Sequence, residues 1–172
     1  RSQKLVDAVK SVEEGSFPRN KIEIFIVDDC STDNTKQVVE DLIKKYKNIH
    51  YLKTKKNSGP AAARNIGIRH AKGEYVFFTD DDCLVSKGAF TKYIEFLGKH
   101  NAVMGAGGLL VPASNNLIAK IETLKDRILK IDNKSLRIGR DVPVGFTCNM
   151  IYRNKVFKEM GGFNEKFKVP AG

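Results

Sequence analysis

The sequence predicts an α/β fold, with a mostly parallel sheet flanked by helices. Three observations predict it. The hydrophobic period switches repeatedly between helix-like and strand-like spacing along the chain. Residues 22–27 form a nearly continuous apolar, β-branched run, the signature of a strand buried on both faces. Clusters of acids stand where apolar runs stop, and open α/β sheets bind ligands beyond the carboxyl ends of their strands. With 172 residues, the chain can build one domain with a real core and not comfortably two.

Each element follows in order. Leu5, Ala8, Val9 and Val12 fall at helical spacing, and Gly15 with Pro18 ends that helix. After the strand at 22–27, Val38, Val39, Leu42, Ile43 and Tyr46 repeat at helical spacing again. A short strand is expected at 49–52, then a helix over 61–70 opened by Gly59-Pro60. Residues 75–79 read as a strand that runs directly into three aspartates. Ser86 can cap a helix carrying Phe90, Tyr93, Ile94 and Leu97. Residues 102–111 are strand-like but interrupted by glycine, which suggests a bulge or a close backbone approach. Leu117, Ile121, Leu124, Ile128 and Ile131 make a helical stripe suited to packing. A last strand is expected over 146–152 and a short helix over 155–160.

Composition bounds the function. Hydrophobic residues are 41% and charged residues 29% of the chain, which is ordinary for a globular protein and argues against disorder. No apolar run approaches the roughly 18 residues of a membrane span, and Arg1 leads straight into an amphipathic segment without a signal peptide. The net charge of +10 fits nucleic acid, anionic lipid or a phosphate-bearing small substrate, and equally a lysine-rich solvated surface. Cys30, Cys83 and Cys148 are widely spaced and odd in number, which points to a reducing compartment without structural zinc or a disulfide framework.

Three clusters can carry chemistry. Asp28 and Asp29 close the strand at 22–27, where burial is costly without a partner. There a carboxylate can accept hydrogen bonds from a base N–H or a ribose hydroxyl, while residues 31–35 supply turn and helix-capping groups. Asp80, Asp81 and Asp82 repel one another unless something positive sits among them. Mg²⁺ or Mn²⁺ answers that need, taking one or two carboxylates and completing its shell with phosphate oxygens. In an extended segment Asp80 and Asp82 would share a face and Asp81 would point away. Between the acids, Arg64 is the one long cation on a helix face of glycine and alanines, placed for a phosphate or a buried carboxylate.

The stretches Asp28-Asp29-Cys-Ser-Thr-Asp, Asn57-x-Gly59-x4-Arg64-Asn65-x-Gly67 and Thr79-Asp80-Asp81-Asp82 resemble, in this order, those of glycosyltransferase family 2. Residues 145–153 and the Gly161-Gly162-Phe163-Asn164-Glu165 segment resemble that family's later motifs. The resemblance implies a GT-A fold and metal-assisted, inverting transfer of sugar from a nucleoside diphosphate, with UDP expected. It implies that Asp29, with Asp28 beside it, holds the nucleoside base and that Arg64 stands near base or phosphates. Asp80 and Asp82 would serve ribose and metal as the D-x-D pair, with Asp81 beside them on the donor. Asn149 would border the acceptor. Residues 1–111 would form the donor-binding part and 112–172 the start of the acceptor side. The acceptor class stays open among carbohydrate, lipid-linked and protein molecules. The implied location is cytoplasmic, with peripheral membrane association open.

Three departures qualify the resemblance. Cys30 replaces the family's usual glycine, which reads as a mild change. The family's first strand would precede Arg1, and its catalytic base would follow Gly172. Glu165 fits a structural role better than that of a base, so no catalytic residue is expected within the chain and no efficient transfer by it alone. Rival readings are a sugar nucleotidyltransferase, whose glycine-rich loop is not found, and a non-catalytic sugar-nucleotide-binding domain. A nucleic-acid-binding module is disfavoured because no aromatics interleave the lysines, no recognised RNA or DNA motif appears and three clustered acids would repel phosphate without metal. Asn133-Lys134-Ser135 matches a glycosylation sequon, a triplet common by chance.

Overall fold

A computed structural model describes residues 2–108, 110–111 and 147–166. Helix α1 (Ser2–Glu13) forms where expected, and its Leu5, Ala8, Val9 and Val12 are buried. Strand β1 (Ile24–Asp28) pairs in parallel with β2 (Ile49–Lys53), from Ile24↔Ile49 to Asp28↔Lys53. Helix α2 (Thr35–Lys45) connects them. Leu5 and Val9 of α1, Val39 and Leu42 of α2, Tyr46 and Ile49 form one core cluster, with Ile24 and Ile26 of β1 packed against it. Burying each such side chain stabilises by about 1.5–3 kcal/mol, so this cluster anchors β1 and the acids at its end.

Helix α3 (Pro60–His70) starts on a proline whose fixed φ suits the first turn. It lies against β1 closely enough that a Cβ on Gly67 would meet Val27 Cγ2 at 3.6 Å. Strands β3 (Tyr75–Phe78), β4 (Gly105–Gly107) and β5 (Met150–Arg153) make a second sheet in the order β3-β5-β4, antiparallel throughout. Helix α4 (Ala89–Lys99) and the short α5 (Lys155–Met160) complete the described elements.

The α/β architecture is as the sequence predicts, but parallel pairing among the described strands is confined to β1 and β2. The two sheets are tied at their starts instead of by a shared ladder. Glu23, just before β1, accepts hydrogen bonds through Oε1 from the N–H groups of Lys72 (2.7 Å) and Gly73 (3.0 Å), just before β3.

Two local expectations differ from the structure. The strand expected at 102–111 is only three residues long, Gly105–Gly107, and its backbone approaches the Tyr152 ring closely. A Cβ on Gly105 would lie 2.6 Å from that ring. Ser86 does not cap α4 with its side chain; its carbonyl accepts from Ala89 N–H at 2.9 Å, and Gly88 is the capping residue. The helical stripe from Leu117 to Ile131 and the sequon at Asn133 lie outside the described residues. Among the described residues, no helix is long and apolar enough to cross a membrane.

Candidate functional site

The carboxyl ends of β1 and β3 bring the acids of the first and second clusters to α3, Asp29 at the loop that opens it and Asp80 at its Arg64. Asp28 is buried, and its acidity follows from its partners. Ser31 N–H donates to it at 2.7 Å, Tyr51 Oη at 2.5 Å, and Lys53 Nζ stands 3.4 Å away. Burial alone would raise its carboxyl. The hydrogen bonds from Tyr51 and Ser31 and the Lys53 charge outweigh burial and hold it below the ordinary carboxylate value. Burial first, and then this carboxylate, pushes the Tyr51 phenol well above its usual value.

Asp29 clasps the loop that leads into α3. Its carboxylate accepts from Thr54 Oγ1 (2.8 Å), from Ser58 N–H (2.9 and 3.0 Å) and from Gly59 N–H (2.7 Å). Gly59 has φ +86° and ψ 168°, a region open in practice only to glycine. Cys30, the next residue after Asp29, has φ +65°. The glycine usual at this position in the resembled family has a physical reason here, and the substitution is less mild than the sequence suggests. Part of the strain is offset by a hydrogen bond from Cys30 Sγ to the Thr54 carbonyl at 3.3 Å.

Asp80, Asp81 and Asp82 do not continue β3. The strand stops at Phe78, and the chain turns, with Cys83 N–H donating to the Asp80 carbonyl at 3.2 Å. The alternation expected of an extended segment therefore does not apply to these side chains. Arg64 reaches across from α3, and its Nη2 donates to Asp80 Oδ1 at 3.1 Å. The pair is half open to solvent, with side-chain exposures of 22% for Arg64 and 45% for Asp80, so its role as a structural bridge alone is small. The guanidinium also lies over the Phe163 ring at 6.0 Å.

The residue after Arg64 works in another direction. Buried Asn65 donates through Nδ2 to the Phe163 carbonyl and to Glu165 Oε1, each at 2.8 Å, and accepts from Phe163 N–H at 2.7 Å. A Cβ on Gly162 would fall 2.1 Å from Asn65 Oδ1, so Gly162 makes room for this clasp, while Gly161 before it has φ +82°. Glu165, an exposed residue, joins this clasp through Oε1. The sequence names Asn65 within a motif but gives no sign of this contact, because its partners lie some hundred positions away.

Asn149 sits with Tyr93 at the start of β5. Tyr93 Oη donates to Asn149 Oδ1 at 2.8 Å, and burial pushes this phenol up to about 12. The two line a cleft of about 240 Å³ with Ser86, Ala89, Lys92 and Gly108. A larger cleft of about 350 Å³ lies beside the Asp29 loop, where Lys53, Lys55, Lys56 and Arg69 supply the positive charge.

The carboxylate oxygens of the aspartate turn, with a guanidinium already on one of them, suit a hard divalent cation that completes its shell with phosphate. Among the described residues, no three His, Cys, Asp or Glu side chains converge into a finished metal cage. A cation here would draw the rest of its ligands from water or substrate, as Mg²⁺ and Mn²⁺ sites with phosphates do.

Comparison with known proteins fits this geometry. The family model described as glycosyl transferase family 2 matches residues 1–161. The chain is 31% identical over 137 residues to the poly(ribitol-phosphate) beta-N-acetylglucosaminyltransferase TarS of Staphylococcus aureus, covering 73% of this chain and 23% of that protein. The crystal structure of S. aureus TarS 1-349 in complex with UDP aligns with a TM-score of 0.72 at 25% identity, over 98% of this chain and 49% of that one. The mannosyltransferase PcManGT from Pyrobaculum calidifontis, in complex with GDP-Man and Mn2+, shares the fold with a TM-score of 0.77 at 20% identity, over 96% of this chain and 45% of that one. The chain therefore spans a quarter to a half of the length of these proteins.

Proposed function

This chain belongs to glycosyl transferase family 2 and has the GT-A fold, and from that premise we propose that its site binds the nucleoside diphosphate of an activated sugar. The donor on this reading is a UDP-sugar, transferred with inversion to an acceptor. The observation that carries the reading is the Arg64–Asp80 pair beside the aspartate turn, at the carboxyl ends of β1 and β3.

The residues divide the work. Asp80 and Asp82 would hold the cation, which when bound offsets the diphosphate charge and makes it a better leaving group. Asp81 stands beside them toward the donor. Arg64 orients Asp80 and offers its remaining N–H donors to a phosphate. Asp28 holds β1 and β2 in register beneath the site through Tyr51 and Lys53. The Asp29 carboxylate already accepts from three donors, Thr54 Oγ1, Ser58 N–H and Gly59 N–H, and a base N–H would have to share its remaining acceptor capacity. Asn149, with Tyr93, borders the acceptor. The likeness to TarS, a poly(ribitol-phosphate) beta-N-acetylglucosaminyltransferase, favours a polymeric polyol-phosphate acceptor over a lipid-linked molecule or protein. The reading places the reaction in the cytoplasm, with peripheral contact to the membrane where the acceptor is anchored there.

Calorimetric titration of UDP with and without Mn²⁺, on the parent chain and on Asp82→Ala, tests the proposal. Binding that needs Mn²⁺ and is lost in the variant is the expected result. Binding indifferent to both would remove the metal role, and a folded chain that takes neither UDP nor GDP nor dTDP would sink the reading.

A further inference from the structure

The cleft beside the Asp29 loop has a chemistry that the donor site does not use. One side of it is a face of α3, where Ala62, Ile66 and Arg69 follow one another at helical spacing. The other side is the segment that continues past β2, residues 53–56, with Ser58 after it. The aspartates that end β1 fix that segment. Thr54 N–H donates to the Asp28 carbonyl at 3.0 Å. Thr54 Oγ1 and Ser58 N–H donate to the Asp29 carboxylate at 2.8 and 2.9 Å, so both residues belong to the cleft and to the donor site.

Charge in the cleft is not balanced. Four cations, Lys53, Lys55, Lys56 and Arg69, meet a single acid, Glu165. Lys53 already faces Asp28 at 3.4 Å, and Glu165 accepts from Asn65 Nδ2 at 2.8 Å. Among the described residues, no carboxylate lies within salt-bridge reach of Lys55, Lys56 or Arg69. Like charges gathered in a concave site raise the local concentration of anions. The volume of about 350 Å³ is near the lower bound for a small-molecule site, which suits a short stretch of a chain that passes through.

We propose that this cleft is the docking track for a polyanionic acceptor, a polyol chain linked by phosphodiesters. Its phosphates meet Lys55, Lys56 and Arg69, and its carbon chain lies against Ala62 and Ile66. The inference rests on the transfer reaction proposed above and gives its acceptor a place to bind. Three other occupants fit less well. The donor diphosphate belongs elsewhere, because neither Arg64 nor an aspartate of the 80–82 turn lines the cleft. Single-stranded nucleic acid stacks its bases on aromatic rings, and no aromatic side chain lines it. A membrane-binding surface inserts apolar side chains, and the exposed Leu84, Met104, Val111 and Met160 are all outside it.

The test measures, by fluorescence anisotropy, binding of a tagged ribitol-phosphate oligomer to the parent and to the triple variant Lys55→Ala, Lys56→Ala, Arg69→Ala. Lys53 stays in place because it pairs with Asp28. The three replaced side chains are exposed, and circular dichroism checks that the variant is folded. Exposed ion pairs each contribute a factor of about two to three, so the variant should bind about tenfold more weakly. Parent affinity should fall steeply with salt and variant affinity less so, because fewer counterions are displaced. Mn²⁺-dependent UDP binding should be the same in both. Failure of the folded parent to bind the oligomer, or equal binding by parent and variant, overturns the proposal. Loss of UDP binding in the variant also overturns it, by assigning the cleft to the donor. Equal competition by inorganic phosphate would leave only a free-anion site. Tighter binding of phosphatidylglycerol vesicles or of polyuridylate would give the surface to a membrane or to nucleic acid; each of these overturns the track as well. A parent that binds the oligomer but no nucleotide refutes the donor reading and leaves the polyanion track standing, so the two failures are distinct.

Discussion

Replacing Asp29 by alanine separates a carboxylate that holds the protein together from one that serves only a ligand. This side chain accepts from Thr54 Oγ1, Ser58 N–H and Gly59 N–H. Hydrogen bonds to a charged group contribute about 1.5–3 kcal/mol each, and a buried donor left unpaired costs about 1–3 kcal/mol. The loop is partly open to water, which rehydrates some of the freed groups. An overall loss of about 2–4 kcal/mol follows for Asp29→Ala. Asp29→Asn keeps one acceptor oxygen and should lose about half as much. With a urea slope of about 1–3 kcal/mol per molar, the alanine variant should unfold at roughly 1–2 M lower urea than the parent. The assay is urea unfolding followed by circular dichroism, without nucleotide. A loss below about 0.5 kcal/mol, within the range of an ordinary surface change, would refute the loop-clasp reasoning and leave Asp29 a ligand contact alone.

Three further outcomes are expected. Cys30→Gly should stabilise by about 0.5–1 kcal/mol in the same assay, since left-handed backbone costs a non-glycine residue about 1–2 kcal/mol and glycine returns part of that as chain entropy. The contribution of the depressed Asp28 carboxyl is fully present above its ordinary value of 3.8 and is lost as pH falls through the lower native value. Tyr51→Phe should therefore cost about 1.5–3 kcal/mol at neutral pH, with a gap to the parent that narrows below about pH 3.8; a gap constant with pH would contradict this. A double-mutant cycle on Arg64→Ala and Asp80→Ala should show a stability coupling under about 1 kcal/mol, because the pair is half exposed, while either variant weakens Mn²⁺-dependent UDP binding.

The elements whose signal is local were legible in the sequence. The β-branched run of β1, the helical stripes of α1 and α2 and the proline start of α3 each carry their cause within a few residues. Asp33, expected among the capping residues, accepts from Thr35 N–H at 3.1 Å at the start of α2. The acids at the ends of β1 and β3 were legible for the same reason, as was the Arg64 cation among small residues. What sequence could not supply is distance in space. The Asn65 clasp on Phe163 and the Tyr51 bond to Asp28 join residues that no periodicity relates. The positive φ of Cys30 was hidden for a different reason, since backbone conformation at one non-glycine residue leaves no trace in composition.

The order β3-β5-β4 has a bearing on when this protein becomes itself. The strand in the middle of that sheet is made last, and neither neighbour pairs with the other. On a ribosome adding about 5–20 residues per second, β3 and its aspartates leave the exit tunnel seconds before the strand they require has been translated. The α1–β1–α2–β2 part faces no such wait, because its core is drawn from the first fifty residues. Biogenesis is therefore expected in two instalments, an early nucleus and a late clasp. Phe77, Phe78 and Asn65 are in the custody of chaperones or of chance during the interval.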